Sequence, residues 1–264
     1  MFPISDSDLK TRSRPFVNVT LIALCAAVFI YELVIGGSQR PIFFYQFGLI
    51  PKEVAHSWDA LWLQTGPDTF VDIASPIPNW ATMFTSMFIH GGWMHFGGNM
   101  LFLWVFGDNI EDRFGHFRYL LFYLAAGLAA VWLQIAIDTT STVPTIGASG
   151  AIAGVLGAYI LLFPYSRIRT AVIFIFFITI IRIPAIVLLG FWFLLQFFSG
   201  LGSLGPSSQA GGVAYWAHIG GFLLGIAVVI IYKLVTSQSI WPRGPRGGPV
   251  EEPDVPQYWR GRRL

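Results

Sequence analysis

Residues 213–235 read VAYWAHIGGFLLGIAVVIIYKLV. About 20 consecutive apolar residues are what a helix needs to cross a hydrocarbon core of about 30 Å, so this run reads as a membrane span. Two features inside it set what the helix must do. Gly221 and Gly225 stand four apart, and such a bare face lets a neighbouring helix backbone approach closely in lipid. His218 sits near the start of the span, where a polar side chain is costly unless paired, so it needs a partner.

The partner is sought upstream. Ser149 opens another apolar run, Ser149 to Phe163, directly after Gly147 and Ala148, and Gly150, Gly154 and Gly157 line one part of it. Close packing of these two runs would bring Ser149 to His218. Four further runs lie at Phe16 to Ile35, Trp93 to Ile110, Phe117 to Ile137 and Pro184 to Phe198. The expected fold class is therefore an all-α membrane protein, a bundle of six transmembrane helices. Composition agrees: 55% of the 264 residues are hydrophobic and 11% charged, against about 25% charged in a soluble domain, and mean hydropathy is +0.63.

The expected organisation is an N-terminal segment 1–15, a membrane domain 16–235, and a Pro- and Arg-rich tail 236–264 in which disorder is expected. Within the domain, residues 36–79 form a long external connection. There Trp58, Leu61 and Trp62 suggest an interfacial amphipathic turn or helix. Thr170 to Ile181 is apolar, but twelve residues rise only about 18 Å as a helix. It reads as an interfacial or re-entrant piece, or as an extension of the fifth span.

With six spans, fourteen of the sixteen basic residues, Lys10 to Arg263, fall on one side, and only Arg40 and Lys52 on the other. By the positive-inside rule both termini are cytoplasmic. The basic residues mark span edges rather than a basic face, so no nucleic-acid partner is expected. The run from Phe16 is longer than the core of a cleavable signal and reads as a retained span. No Arg- and Ser-rich transit peptide is apparent, which favours a bacterial inner membrane. Cys25 is the single cysteine, which excludes an internal disulfide.

Spans two, four and six run in one direction, so their first turns share one depth near the outer face. His95 and Asn99, i and i+4 on span two, thus join Ser149 and His218. One buried histidine is as often packing as chemistry; four polar groups converging at one level favour function. A serine hydroxyl becomes a useful nucleophile when a base such as His takes its proton. The oxyanion that follows needs fixed donors, and the side chains of His95 and Asn99 with the Ser149 backbone N–H are available. Asp108, Glu111 and Asp112 lie too far along span two to reach His218, and Asp138 begins a loop that nothing directs to the site. A Ser149–His218 dyad is expected. His56, His90 and His116 complete the histidines, but no HExxH is present and no metal is expected. His90 is expected to brace the start of span two.

These residues carry a resemblance. His90 to Asn99, HGGWMHFGGN, resembles the HxxxxHxxxN signature of rhomboid intramembrane serine proteases. Gly147 to Gly150 is similar to the GxSG of that family, and Ala217, His218, Gly221 and Gly225 to its AHxxGxxxG. Glu111 and Gly115 fit its ExxxG. The resemblance runs from about Trp80 to Lys233. It implies a six-helix fold that cleaves single-span transmembrane proteins near their outer ends, within the lipid bilayer and without a cofactor. It also implies a cap over the site from Ser199 to Gly212 and the fifth span as the lateral entry gate. Two positions depart from the family pattern. Many rhomboids carry an aromatic four residues after the serine that stacks on the histidine, and here that position is Ala153; the Trp-Arg pair of the first external loop is also missing. The alternatives are a non-catalytic rhomboid-like protein that binds membrane clients, and a transporter or channel, for which the runs lack a series of carboxylates.

Overall fold

The structure is a computed structural model that describes residues 2–6, 9, 11–174, 177–204 and 213–241. The chain opens with strand β1 (Phe2–Asp6) and helix α1 (Phe16–Ile35). Helices α2 (Gln39–Phe47) and α3 (Pro51–His56), the hairpin β2 (Trp62–Gly66) and β3 (Thr69–Asp72), helix α4 (Asn79–Thr85) and a 3₁₀ turn at Ser86–Phe88 follow. Then come α5 (Trp93–Phe114), α6 (His116–Ile137) and α7 (Ser149–Leu162). The hairpin β4 (Arg167–Phe174) and β5 (Phe177–Pro184) leads to α8 (Ala185–Gly202) and α9 (Tyr215–Val235). The long helices form a membrane bundle, the two hairpins lie in its connections, and β1 precedes its first helix.

Among the described residues four helices, α1, α6, α8 and α9, are long and apolar enough to cross a membrane. Helix α5 has the length, but its last two turns carry Asp108, Glu111, Asp112 and Arg113. Helix α7 has only 14 residues, and its position explains how so short a helix serves. It packs against α5, α6, α8 and α9, and every residue from Gly150 to Tyr159 is buried. A helix wrapped by protein need not match the lipid thickness as an outer helix must.

Packing of α7 on α9 is set by glycine. A Cβ on Gly221 would stand 1.9 Å from the Gly150 carbonyl oxygen, and one on Gly225 would stand 2.0 Å from that of Gly154. On the other helix, a Cβ at Gly157 would meet the Phe222 carbonyl at 2.1 Å. Backbone lies on backbone at three successive levels, as expected where small residues replace side-chain packing in lipid. Gly150 also faces α6, where an added Cβ would lie 2.5 Å from Ala130 Cβ.

The carboxylates of α5 lock the end of the bundle remote from Ser149. Glu111 is fully buried and accepts the backbone N–H groups of Val17 and Asn18 at 2.9 and 2.7 Å, satisfying donors that the first turn of α1 leaves without helical partners. Asp112 accepts from Arg12 N, Ser13 N and Ser13 Oγ. Strand β1 pairs antiparallel with β4, and Asp6 accepts hydrogen bonds from Ser166 Oγ and Tyr159 OH. The N-terminal segment is thus partly folded onto the bundle.

Three local expectations are corrected. Thr170 to Ile181 does not extend the fifth span. It belongs to the β4–β5 hairpin, paired from Arg167↔Pro184 to Phe174↔Phe177. Nine of the sixteen residues in these strands are β-branched, which favours pleated backbone over helix. Trp58, Leu61 and Trp62 do not form a helix but lead into β2, and all three are exposed. Helix α8 runs on to Gly202, so the first residues of the expected cap are helical. Its residues 205–212 and most of the tail, 242–264, lie outside the described residues.

The connection 36–79 is stitched to the segment that precedes Ser149. Leu49 and Thr145 exchange backbone hydrogen bonds at 3.0 and 2.7 Å, Lys52 N donates to Ser141 O, and Gly147 N donates to Ser86 O at 2.8 Å. These bonds fix the turn that delivers the serine.

Candidate active site

Ser149 is the first residue of α7, and His218 lies in the first turn of α9. Ser149 Oγ is 2.8 Å from His218 Nε2 across 69 positions of chain. That is the separation at which an imidazole lone pair takes a hydroxyl proton. The glycine contacts between α7 and α9 hold the two starting turns at this distance.

Gly147 shapes the approach. Its φ of +124° is a conformation that side-chain-bearing residues rarely adopt, and a Cβ there would sit 2.6 Å from His95 Nε2 and 3.5 Å from Ser149 Oγ. His95 is therefore brought against the serine turn. Its Nδ1 accepts the Gly91 N–H at 3.3 Å, which leaves Nε2 to carry the proton and act as donor. Asn99 is buried, and its Nδ2 has no hydrogen-bond partner among the described residues. A buried unsatisfied donor is rare and costs about 1–3 kcal/mol, which a developing negative charge would repay.

A cavity of about 30 Å³ adjoins Ser149, bounded by Ser86, Met87, Thr145 and Gly147, and about that volume holds one water. A second cleft, about 740 Å³, lies between Glu53 and Trp80, mostly within the connection 36–79, and none of the four polar site residues lines it.

Four contributors were not foreseen. Glu32, the one carboxylate of α1, is fully buried and pairs with Arg40 at 3.4 Å. Together they clamp residue 90: His90 N donates to Glu32 Oε1 at 2.9 Å, and Arg40 Nη2 donates to His90 O at 3.1 Å. His90 is itself buried against the His95 ring, 5.2 Å between centroids. Burial, and then that neighbouring ring, push His90 down to about 4, so it braces α5 as a neutral imidazole. The other two are Gln196 and Trp192 of α8. Gln196 Oε1 is 2.8 Å from His218 Nδ1, and the Trp192 ring lies 5.9 Å from the His218 ring at 35°. The available signal was a single carboxylate, Glu32, in one apolar run and a single amide, Gln196, in the other.

The family profile described as Rhomboid domain matches residues 78–234, more than half of the chain and all of the site. The chain belongs to the rhomboid family. This rhomboid is 30% identical over 145 residues to Rhomboid protein 1, mitochondrial, of Saccharomyces cerevisiae, covering 53% of the chain and 38% of the relative. It is 43% identical over 79 residues to Rhomboid protease GluP of Bacillus subtilis, covering 30% and 15%. It is also 33% identical over 164 residues to RHOMBOID-like protein 6, mitochondrial, of Arabidopsis thaliana, covering 60% and 45%. The rhomboid thus spans less than half the length of each of these relatives. Two of them are mitochondrial by name and one is bacterial.

Proposed function

We propose that this rhomboid is an intramembrane serine endopeptidase that cleaves single-span membrane proteins near one end of their transmembrane segment. The observation that carries the reading is the 2.8 Å contact between Ser149 Oγ and His218 Nε2 at the shared level of α7 and α9. Ser149 Oγ attacks the scissile carbonyl carbon as its proton passes to His218 Nε2. The oxyanion accepts hydrogen bonds from His95 Nε2, Asn99 Nδ2 and the Ser149 backbone N–H. His218 then protonates the leaving amine as the C–N bond breaks, and an ester to Ser149 remains. Water attacks that ester with His218 again as base, releasing the carboxylate product and restoring the serine. The water-sized cavity beside Ser149 supports that last step.

The membrane domain 16–235 is read as six spans, α1, α5, α6, α7, α8 and α9. The charge asymmetry of fourteen against two supports placing both ends, including segment 1–15 and the tail from 236, in the cytoplasm. The Ser149 end then faces outward, and the proposed home is a bacterial inner membrane. The β4–β5 hairpin lies between α7 and α8 without an added crossing, as the contact between Ser149 and His218 requires.

A client-binding protein would have no need of a paired hydroxyl and imidazole beside an unsatisfied buried amide. Labelling with a fluorophosphonate separates the two readings. The wild type, purified in detergent, is expected to be labelled, and Ser149→Ala is not. A wild type that neither takes the probe nor cleaves a transmembrane reporter would overturn the catalytic reading. Within the same assay Asn99→Ala is expected to lower kcat by about 10²- to 10³-fold with KM little changed, the typical cost of one lost oxyanion donor. An equal loss confined to KM would assign Asn99 to binding instead.

A further inference from the structure

We infer that Gln196 is the positioning residue that holds His218 in its working tautomer, and that it does so only while α8 is seated on α9. The inference rests on the catalytic reading above and deepens it.

In neutral imidazole one ring nitrogen carries the proton and the other a lone pair, and the hydrogen bond made by the first decides which is which. Gln196 Oε1 is an acceptor only. Lying 2.8 Å from Nδ1, it requires the proton there and leaves the Nε2 lone pair to face Ser149 Oγ at 2.8 Å. The opposite tautomer would set a lone pair against a carbonyl oxygen on one side and N–H on the serine on the other. Among the described residues no other side chain makes a hydrogen bond with Nδ1, and the Trp192 ring beside the imidazole sets its plane without choosing a tautomer. The residue one turn after the serine is Ala153, fully buried and without a ring to stack on the imidazole. The acidic residues of α5 are engaged at the far end of the bundle, Glu111 and Asp112 with the start of α1. The groups that face His218 are Ser149 from α7, His95 from α5, and Trp192 and Gln196 from α8.

Trp192 and Gln196 are i and i+4, so they project from one face of α8. That face meets α9 as a ladder. Phe193 stacks on Phe222 at 4.6 Å, Trp192 lies over both Phe222 and His218, and Gly200 brings the α8 backbone against Tyr215, Trp216 and Ile219. Gln196 stands between these rungs, the single amide in a helix whose one other polar side chain is Ser199. Because the acceptor and the imidazole belong to different helices, displacing α8 sideways removes the bond. The base is therefore oriented only in the closed bundle.

The test combines ¹⁵N NMR of the histidine side chains with steady-state cleavage of a transmembrane reporter, on the full chain in detergent. In the wild type, His218 is expected to show a single tautomer protonated at Nδ1. Gln196→Leu removes the acceptor at similar size and should give a mixture of tautomers. Its kcat should fall by about 10- to 100-fold, the range for loss of a partner that orients a functional histidine, with KM changed less than about threefold. Gln196→Glu retains an acceptor and should keep the Nδ1–H tautomer. Its carboxylate favours imidazolium, and because the base must be neutral to act, the acid limb of the rate profile should move to higher pH. A Gln196→Leu spectrum identical to wild type, or loss of the Nδ1–H tautomer in a folded Gln196→Glu, overturns the inference. Failure of the catalytic reading looks different: no cleavage by wild type, with the tautomer still dependent on residue 196.

Discussion

Alanine at Ser149 or at His218 is expected to lower cleavage by about 10⁴- to 10⁶-fold, and alanine at both positions to lower it little further. The reason is that the two side chains act as one device. The hydroxyl is a poor nucleophile without the imidazole at 2.8 Å, and the imidazole has nothing to activate without the hydroxyl. Once either is gone, what remains is substrate alignment and the oxyanion donors, His95 and Asn99, which neither substitution touches. Initial rates for the two single variants and the double variant, on one reporter at one detergent concentration, form the required cycle. Additive losses would mean that the residues act independently and would sink the dyad. Equal cleavage by all the variants and the wild type would point to a contaminating protease.

Gly221→Ala is expected to lower the rate by about 10²-fold, from a position that touches neither substrate nor reacting atoms. The new methyl would lie 1.9 Å from the Gly150 carbonyl oxygen and 3.3 Å from Gly154 N. A carbon and an oxygen need about 3.3 Å. The colliding atoms are backbone on the opposing helix, not the free end of a flexible side chain. Helices α7 and α9 must then part by about 1 Å or more, and His218, one turn before Gly221, moves with α9 away from Ser149. Displacements of that size cost about 10²-fold in rate when they separate reacting groups. Overpacking should also remove about 1–3 kcal/mol of stability. Gly190→Ala is the control, because an added Cβ on that residue of α8 meets nothing within 4 Å. The measurements are the thermal midpoint and the rate of fluorophosphonate labelling. Gly221→Ala with wild-type labelling would show that helix contact does not set the distance between serine and histidine.

Much of the site was legible because its parts sit at helix starts with regular spacing. His95 and Asn99 share a face by being four apart, Ser149 follows a glycine turn, and Gly221 and Gly225 mark the surface where a second backbone fits. Glu32 and Arg40 were less visible. A single carboxylate in an apolar run announces that it is paired, yet nothing local says that its partner stands eight residues on, or that both close around residue 90. The β4–β5 hairpin was not recognised as strands because apolar runs of about a dozen residues suit either element, and only the density of β-branched residues favoured strands.

The amino-acid sequence by itself determined that this is a helical membrane bundle, with a hydroxyl, an amide and two imidazoles near the starts of three helices. In lipid the backbone must satisfy its own hydrogen bonds, so apolar length translates almost directly into spans. Only the tertiary structure decided that Gln196 lies against His218 and that α7 can be short because it is enclosed. Those facts depend on which faces of separate helices meet, and such a pairing is a property of the packed bundle that no run of neighbouring residues encodes.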